Sequence, residues 1–215
     1  MNMLKLFAGI AAGVTVASLA CAASAGPIPY PTPGTPNPVV STFTATSTGE
    51  ITAYFAGSGA SYDEEVGMLV NGVPTGVVGL DDHSSAIGLA LNLGAVTAGD
   101  TLTFFDDVSS INTTWYSDPT LNTADDGGNH VYSTDATAGQ VFAGSPAGVY
   151  VGFEDLNFIS GSDYNYFDDT FVFTNTTLAG GVPEPATWAL MLMGVGMIGA
   201  GVRLARRKDG MPVRA

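Results

Sequence analysis

The chain has 215 residues, with 20 Asp and Glu against 6 Lys and Arg, and a formal net charge of −14. It is 46% hydrophobic, with Phe, Tyr and Trp throughout, so it is no acidic disordered chain, a class depleted in such residues. Between Gly26 and Val202 there is no Lys or Arg at all. That excludes a nucleic-acid-binding surface and forbids any Lys or Arg salt bridge in the stretch.

Taken in chain order, Met1 to Ala25 offers one early cation at Lys5, an apolar run from Leu6 to Ala20, and small residues at Ala23 and Ala25. These are the three regions of a secretory signal peptide, with cleavage expected after Ala25. Cys21, the only cysteine, leaves with it; in a lipoprotein reading Cys21 would instead be acylated, but no leucine stands three positions before it. Without cysteine the exported chain has no disulfide and takes its stability from elsewhere.

Residues 26–38 carry six prolines and read as an extended, semi-rigid linker. From 39 to 178 short β-prone runs alternate with turn residues. Strands are expected over Thr42–Thr48, Glu50–Ala56, Glu65–Val70, Ala86–Leu93, Thr101–Asp106, Thr113–Tyr116, His130–Tyr132, Val149–Phe153 and Thr170–Thr174. Asn71-Gly72 is a type I′ hairpin signal. No segment there holds a 3.6-residue apolar period. The expectation is all-β: a single β-sandwich or jelly-roll-like domain, long enough for one real core.

Its chemistry concentrates in two acidic segments. Gly152-Phe153-Glu154-Asp155-Leu156 closes one strand, and Gly161 to Asp169 leads into the next through Asp163, Asn165, Asp168 and Asp169. A second loop, Asp125-Asp126-Gly127-Gly128-Asn129-His130, precedes another strand. A buried carboxylate is costly unless paired or metal-bound. With no Lys or Arg, these acids are solvated, held by backbone N–H groups, paired with histidine, or neutralised by a cation. Outside the cell the obvious cation is Ca²⁺, which takes six to eight oxygens. The candidate ligands are Asp126, His130, Glu154, Asp155, Asp163, Asn165, Asp168 and Asp169. Solvated turn and capping roles are the alternative. An EF-hand beginning at Asp163 fails, because Phe167, Asp168 and Thr174 fall where it needs an oxygen ligand, Gly and Glu.

After a polar tail, expected to be flexible, residues 179–185 carry Pro183-Glu184-Pro185. Ala186 to Val202 then runs 17 residues without a charge, at the lower end of the roughly 17–25 that span a bilayer. Arg203, Arg206, Arg207 and Lys208 follow as a basic stop, leaving 203–215 cytoplasmic and the preceding domain outside. Gly194-Val195-Gly196-Met197-Ile198-Gly199 fits G-x-G-x-x-G, but it sits inside the apolar run with no acidic residue about 20 positions on. Small residues there suit helix packing in lipid.

Tag, apolar run and arginine cluster together resemble the PEP-CTERM sorting signal of Gram-negative bacteria. The resemblance implies processing near Pro-Glu-Pro by an exosortase, a membrane-embedded transpeptidase-like enzyme, and a place in the extracellular matrix or exopolysaccharide of a biofilm-forming cell. A plain C-terminal membrane anchor is the competing reading. The two acidic segments resemble a poorly characterised acidic β-domain of exported bacterial proteins, with Asn165 and Phe167 departing from its pattern.

Catalysis is not expected. Glu154 and Asp169 could form a glycosidase pair only at a fixed separation. His83 beside Asp81, Asp82, Ser84 and Ser85 lacks any G-x-S-x-G serine. Two histidines without cysteine do not make a zinc enzyme. The other expectation is a Ca²⁺-dependent carbohydrate- or surface-binding module, with Trp115, Tyr116, Tyr164 and Tyr166 as stacking platforms.

Overall fold

The computed structural model describes residues 26–125, 127–158 and 161–179. Along them run β1 (Thr42–Ala45), β2 (Gly49–Ser58), β3 (Glu64–Val70), β4 (Val73–Gly79), β5 (Ala90–Val96), β6 (Thr101–Val108), β7 (Thr113–Tyr116), β8 (Val131–Ala136), β9 (Gly148–Phe153), β10 (Asp169–Thr174) and β11 (Thr176–Ala179). One sheet has the order β11-β1-β6-β3-β4, with β7 on the other half of the β6 edge that β1 begins. The second has the order β5-β2-β10-β9-β8. The expected all-β sandwich is what these two antiparallel sheets form.

Period-two alternation builds the core between them. On β6, Leu102, Phe104, Asp106 and Val108 are buried, while the residues between them are more exposed. Phe43, Ile51, Phe55, Val66, Met68, Leu93, Val151, Phe153, Phe171 and Phe173 close the same layer from both sheets. Full burial of such a side chain contributes about 1.5–3 kcal/mol. The stacked pair Phe104 and Phe173, 3.8 Å between centroids, joins the two sheets through its rings.

Strand β10 is buried at every position but its last, because its outward face is covered too. Val172, Tyr150 and Ala136 pack there against Ile28, Val141 and Phe142. Residues 26–38, expected as a spacer, therefore lie along the sandwich. Tyr30 packs edge-on against Tyr132 and Tyr166. The Asn37 amide donates to the Tyr166 hydroxyl at 2.7 Å, and its side chain donates to the Val131 carbonyl at 2.8 Å.

The Asn71-Gly72 turn forms as expected, with φ of 51° and 80°, the left-handed pair that type I′ requires. Its second arm, β4, holds Pro74 and Gly76, which disguise it as a loop. An edge strand tolerates both. The strand expected over Ala86–Leu93 begins later, at Ala90, because Gly88 at φ 86° belongs to a turn that the Leu89 amide closes onto the Ala86 carbonyl. The stretch expected as a flexible tail instead forms β11 on β1. Asn175 sets it up: at φ 59° it turns the chain, and its side chain accepts from the Ser47 amide at 3.0 Å and donates to the Ser47 carbonyl at 3.0 Å.

Among the described residues no helix is long and apolar enough to cross a membrane. The expected signal peptide, membrane segment 186–202 and basic stop lie outside the described residues, as does Asp126.

Candidate metal centre

Three strands place an acid where alternation calls for an apolar side chain. Glu64 opens the inward series Val66 and Met68 on β3, Asp106 interrupts Phe104 and Val108 on β6, and Asp169 opens Phe171 and Phe173 on β10. On the paired strands β3 and β6, Glu64 faces Val108 and Val66 faces Asp106, so the two acids share one face two positions apart. Asp169 comes from the opposite sheet. All three are 0% exposed, and one oxygen of each lies within 4.8 Å of the others.

None of their six carboxyl oxygens has a hydrogen-bond partner in good geometry, the Thr170 amide giving Asp169 only a minor counter-pull against burial. Glu64 does touch the carboxyls of Asp106 and Asp155, but two carboxylates bond only with a proton or a cation between them. Burial is the main force raising all three carboxyl pKa values, and neighbouring acids add to it: Asp106 and Asp169 for Glu64, Asp155 and Asp82 for Asp106, and Asp106 and Asp82 for Asp169. Asp82 shows what a satisfied acid looks like here. It too is buried, yet its oxygens accept from the Glu64 amide at 3.0 Å and the Ser58 hydroxyl at 3.1 Å, and His83 Nδ1 lies 2.9 Å away.

A second group, Glu154, Asp155 and Asp168, adjoins the first through the Glu64–Asp155 contact. Its oxygens also approach within 4.8 Å, and all three residues are buried. These acids are partly held by backbone. Glu154 accepts from the Asp163 amide at 3.2 Å and the Tyr166 amide at 3.3 Å; Asp168 accepts from the Asp155 amide at 3.0 Å. Burial, then the charges of Glu154 and Asp155, push the Asp168 carboxyl up to about 9. Burial likewise raises Glu154 and Asp155.

The loop from 161 to 168 lies close on β9 because residue 152 has no side chain: a Cβ there would stand 2.2 Å from the Tyr166 carbonyl oxygen. Tyr164 and Tyr166 hold φ of 53° and 56°, a region costly for bulky side chains. The Tyr166 hydroxyl is anchored in return, donating to the Asn129 carbonyl at 3.1 Å. Trp115 pins the other side, its indole N–H donating to the Asp155 carbonyl at 2.6 Å.

Of the residues read from sequence, Glu154, Asp155 and Asp168 converge, and Asp169 joins the interior group. His130 stands differently: its ring lies between Trp115 and Phe158 at 3.7 and 4.6 Å. Its Nδ1 is 2.8 Å from the Glu154 carbonyl, which can only accept, so that nitrogen carries the proton. Asp163 is exposed, with its carboxylate accepting from the Asn165 amide and side chain at 3.0 and 2.7 Å. Asn165 in turn accepts from the Phe167 amide at 2.6 Å. Glu64 and Asp106 were not read from the sequence. Their signal was an acid at an inward strand position. Trp115 and Tyr166, stacking platforms in the carbohydrate-binding alternative and core or turn packing otherwise, are 2% and 1% exposed, and both hold this centre; Tyr116 and Tyr164 are half-buried.

The chemistry of the centre is therefore that of hard oxygen ligands without any protein cation, since no Lys or Arg occurs among the described residues. Such a set fits a divalent metal ion, and it sits in a β-sandwich of an otherwise acidic chain. The PEP-CTERM protein-sorting motif matches residues 181–208. The chain thus carries a PEP-CTERM sorting motif, the mark of an exported protein that an exosortase processes. No curated protein and no solved structure matches it.

Proposed function

We propose that this chain is a non-catalytic surface or extracellular-matrix protein, delivered through a membrane-held intermediate and retained with the exopolysaccharide of a biofilm. Its sandwich is stabilised by Ca²⁺ held at the acidic loops by Glu154, Asp155 and Asp168. One observation carries the metal part: three buried acids meet where no Lys or Arg is available, and Ca²⁺ is the abundant extracellular cation suited to oxygen ligands. The sorting motif supports the destination, with Pro183-Glu184-Pro185 as the processing site and the exosortase as the partner. The burial of Trp115 and Tyr166 weakens the competing carbohydrate-binding reading, which needs exposed rings.

Fractionating the native host tests it. The chain is expected in the exopolysaccharide fraction, ending near Pro183-Glu184-Pro185. Replacing that tripeptide with alanines is expected to leave it in the membrane with Arg206-Arg207-Lys208 intact. A wild-type chain found whole in the membrane, or free in the medium without polysaccharide, contradicts the reading.

A further inference from the structure

The interior group is a different object from the loop acids. Glu154 and Asp168 have backbone donors, whereas the six oxygens of Glu64, Asp106 and Asp169 have no hydrogen-bond partner in good geometry and are shut off from solvent. An ionised carboxylate so placed is strongly disfavoured unless neutralised. The other acids close by, Asp82 and Asp155, add negative charge and do not relieve it.

We propose that Glu64, Asp106 and Asp169 form a second, interior Ca²⁺ site that ties one sheet to the other, distinct from the loop-borne ion that it adjoins through the Glu64–Asp155 contact. Three carboxylates offer up to six hard oxygens, the lower end of the range Ca²⁺ takes. Zinc is disfavoured because the set has no nitrogen or sulfur. Mg²⁺ keeps several of its waters, which suits an open site better than one closed on both sides by strands. Glu64 and Asp106 come from β3 and β6 and Asp169 from β10, so the ion bridges the layer otherwise closed by rings such as Phe104 and Phe173. Enclosure has a kinetic consequence. An ion with no exposed ligand enters as the sheets close and leaves only when they part.

The test is metal counting and release on the intact exported chain. Native mass spectrometry counts Ca²⁺ per chain. Eu³⁺, a luminescent stand-in for Ca²⁺, reports the waters left on each ion through its lifetimes in H₂O and D₂O. The expected result is one nearly anhydrous ion that EGTA removes no faster than the chain unfolds, beside a hydrated ion that EGTA strips quickly. Asp106→Asn is expected to abolish the anhydrous ion and keep the hydrated one; Asp168→Asn is expected to do the reverse. An anhydrous ion without a hydrated one sinks the loop reading and leaves the interior site standing. Absence of an anhydrous, slowly released ion from the wild-type chain overturns the proposal, whether or not the variants fold. So does its retention in Asp106→Asn. An infrared band of protonated carboxyls in Ca²⁺-saturated wild type that disappears in Asp106→Asn also overturns it, because protons then neutralise the group.

Discussion

Carboxyl oxygens of Asp106 and Asp169, which belong to opposite sheets, come within 4.8 Å of each other, and both residues are wholly buried. A sandwich normally fills that layer with apolar side chains. Here the layer is apolar through Phe104, Phe171 and Phe173 and turns acidic at one end. The fold thus spends stability at that end, and a neutralising partner recovers it.

The pH dependence of the metal-free chain follows from that cost. Asp168 is pushed up to about 9 in the folded state, against about 3.9 for an unfolded aspartate. Between those values the folded chain binds more protons than the unfolded one, so stability is full at low pH and falls as pH rises. Glu64, Asp106 and Asp169, raised by the same burial, act in the same direction. In chelator, the melting temperature is expected to fall steadily from pH 5 to pH 8. Saturating Ca²⁺, which binds the ionised form and so removes the folded-state protons, is expected to flatten that slope. A chelated chain that gains stability toward pH 8 contradicts the burial argument.

How far the sequence led can be read from individual strands. The hairpin at Asn71-Gly72 was legible because only a few residues accept two successive positive φ angles. Strand β11 was not, since Thr176–Ala179 has no apolar alternation and becomes a strand by pairing with β1. Glu154, Asp155 and Asp168 stood out as a dense local run. Glu64 and Asp106 are each far from that run in sequence, and only the pairing of β3 with β6 and the approach of β10 bring them to Asp169. A single inward acid within an apolar alternation is a weak local signal. Three such strands folded together make a strong one.

Phe104→Ala is expected to cost about 3–5 kcal/mol in urea unfolding. The ring stacks on Phe173 at 15° between planes, and both are 0% exposed. A loss under about 1 kcal/mol would mean that the two sheets do not meet at this point.

Gly152→Ala sets a Cβ 2.2 Å from the Tyr166 carbonyl oxygen, a backbone atom that cannot swing aside. The loop from 161 to 168 is expected to lift, with a stability loss of about 2 kcal/mol or more and weaker Ca²⁺ binding at Glu154 and Asp168. Gly26→Ala, with nothing within 4 Å of its new methyl, is the control and is expected within about 0.5 kcal/mol of wild type. Equal stability of the two variants in parallel unfolding curves would refute the close seating of the loop.

His130→Phe keeps a ring between Trp115 and Phe158 but removes the Nδ1 proton donated to the Glu154 carbonyl. The buried carbonyl loses that donor, at a cost of about 1–3 kcal/mol. Ca²⁺ affinity is expected to drop only modestly, the change expected of a ring that acts by supporting Glu154 through its carbonyl. Complete loss of binding in a folded His130→Phe chain would make the imidazole a ligand instead.

The most direct measurement is the melting temperature of the intact exported chain as Ca²⁺ is titrated at neutral pH, with Mg²⁺ as the comparison. Binding to the folded state alone raises stability as RT ln(1 + [Ca²⁺]/Kd). A transition that climbs through millimolar Ca²⁺ and responds little to Mg²⁺ is the predicted result. A transition that stays where chelator leaves it, up to millimolar Ca²⁺, would contradict the account of an acidic sandwich held together by calcium.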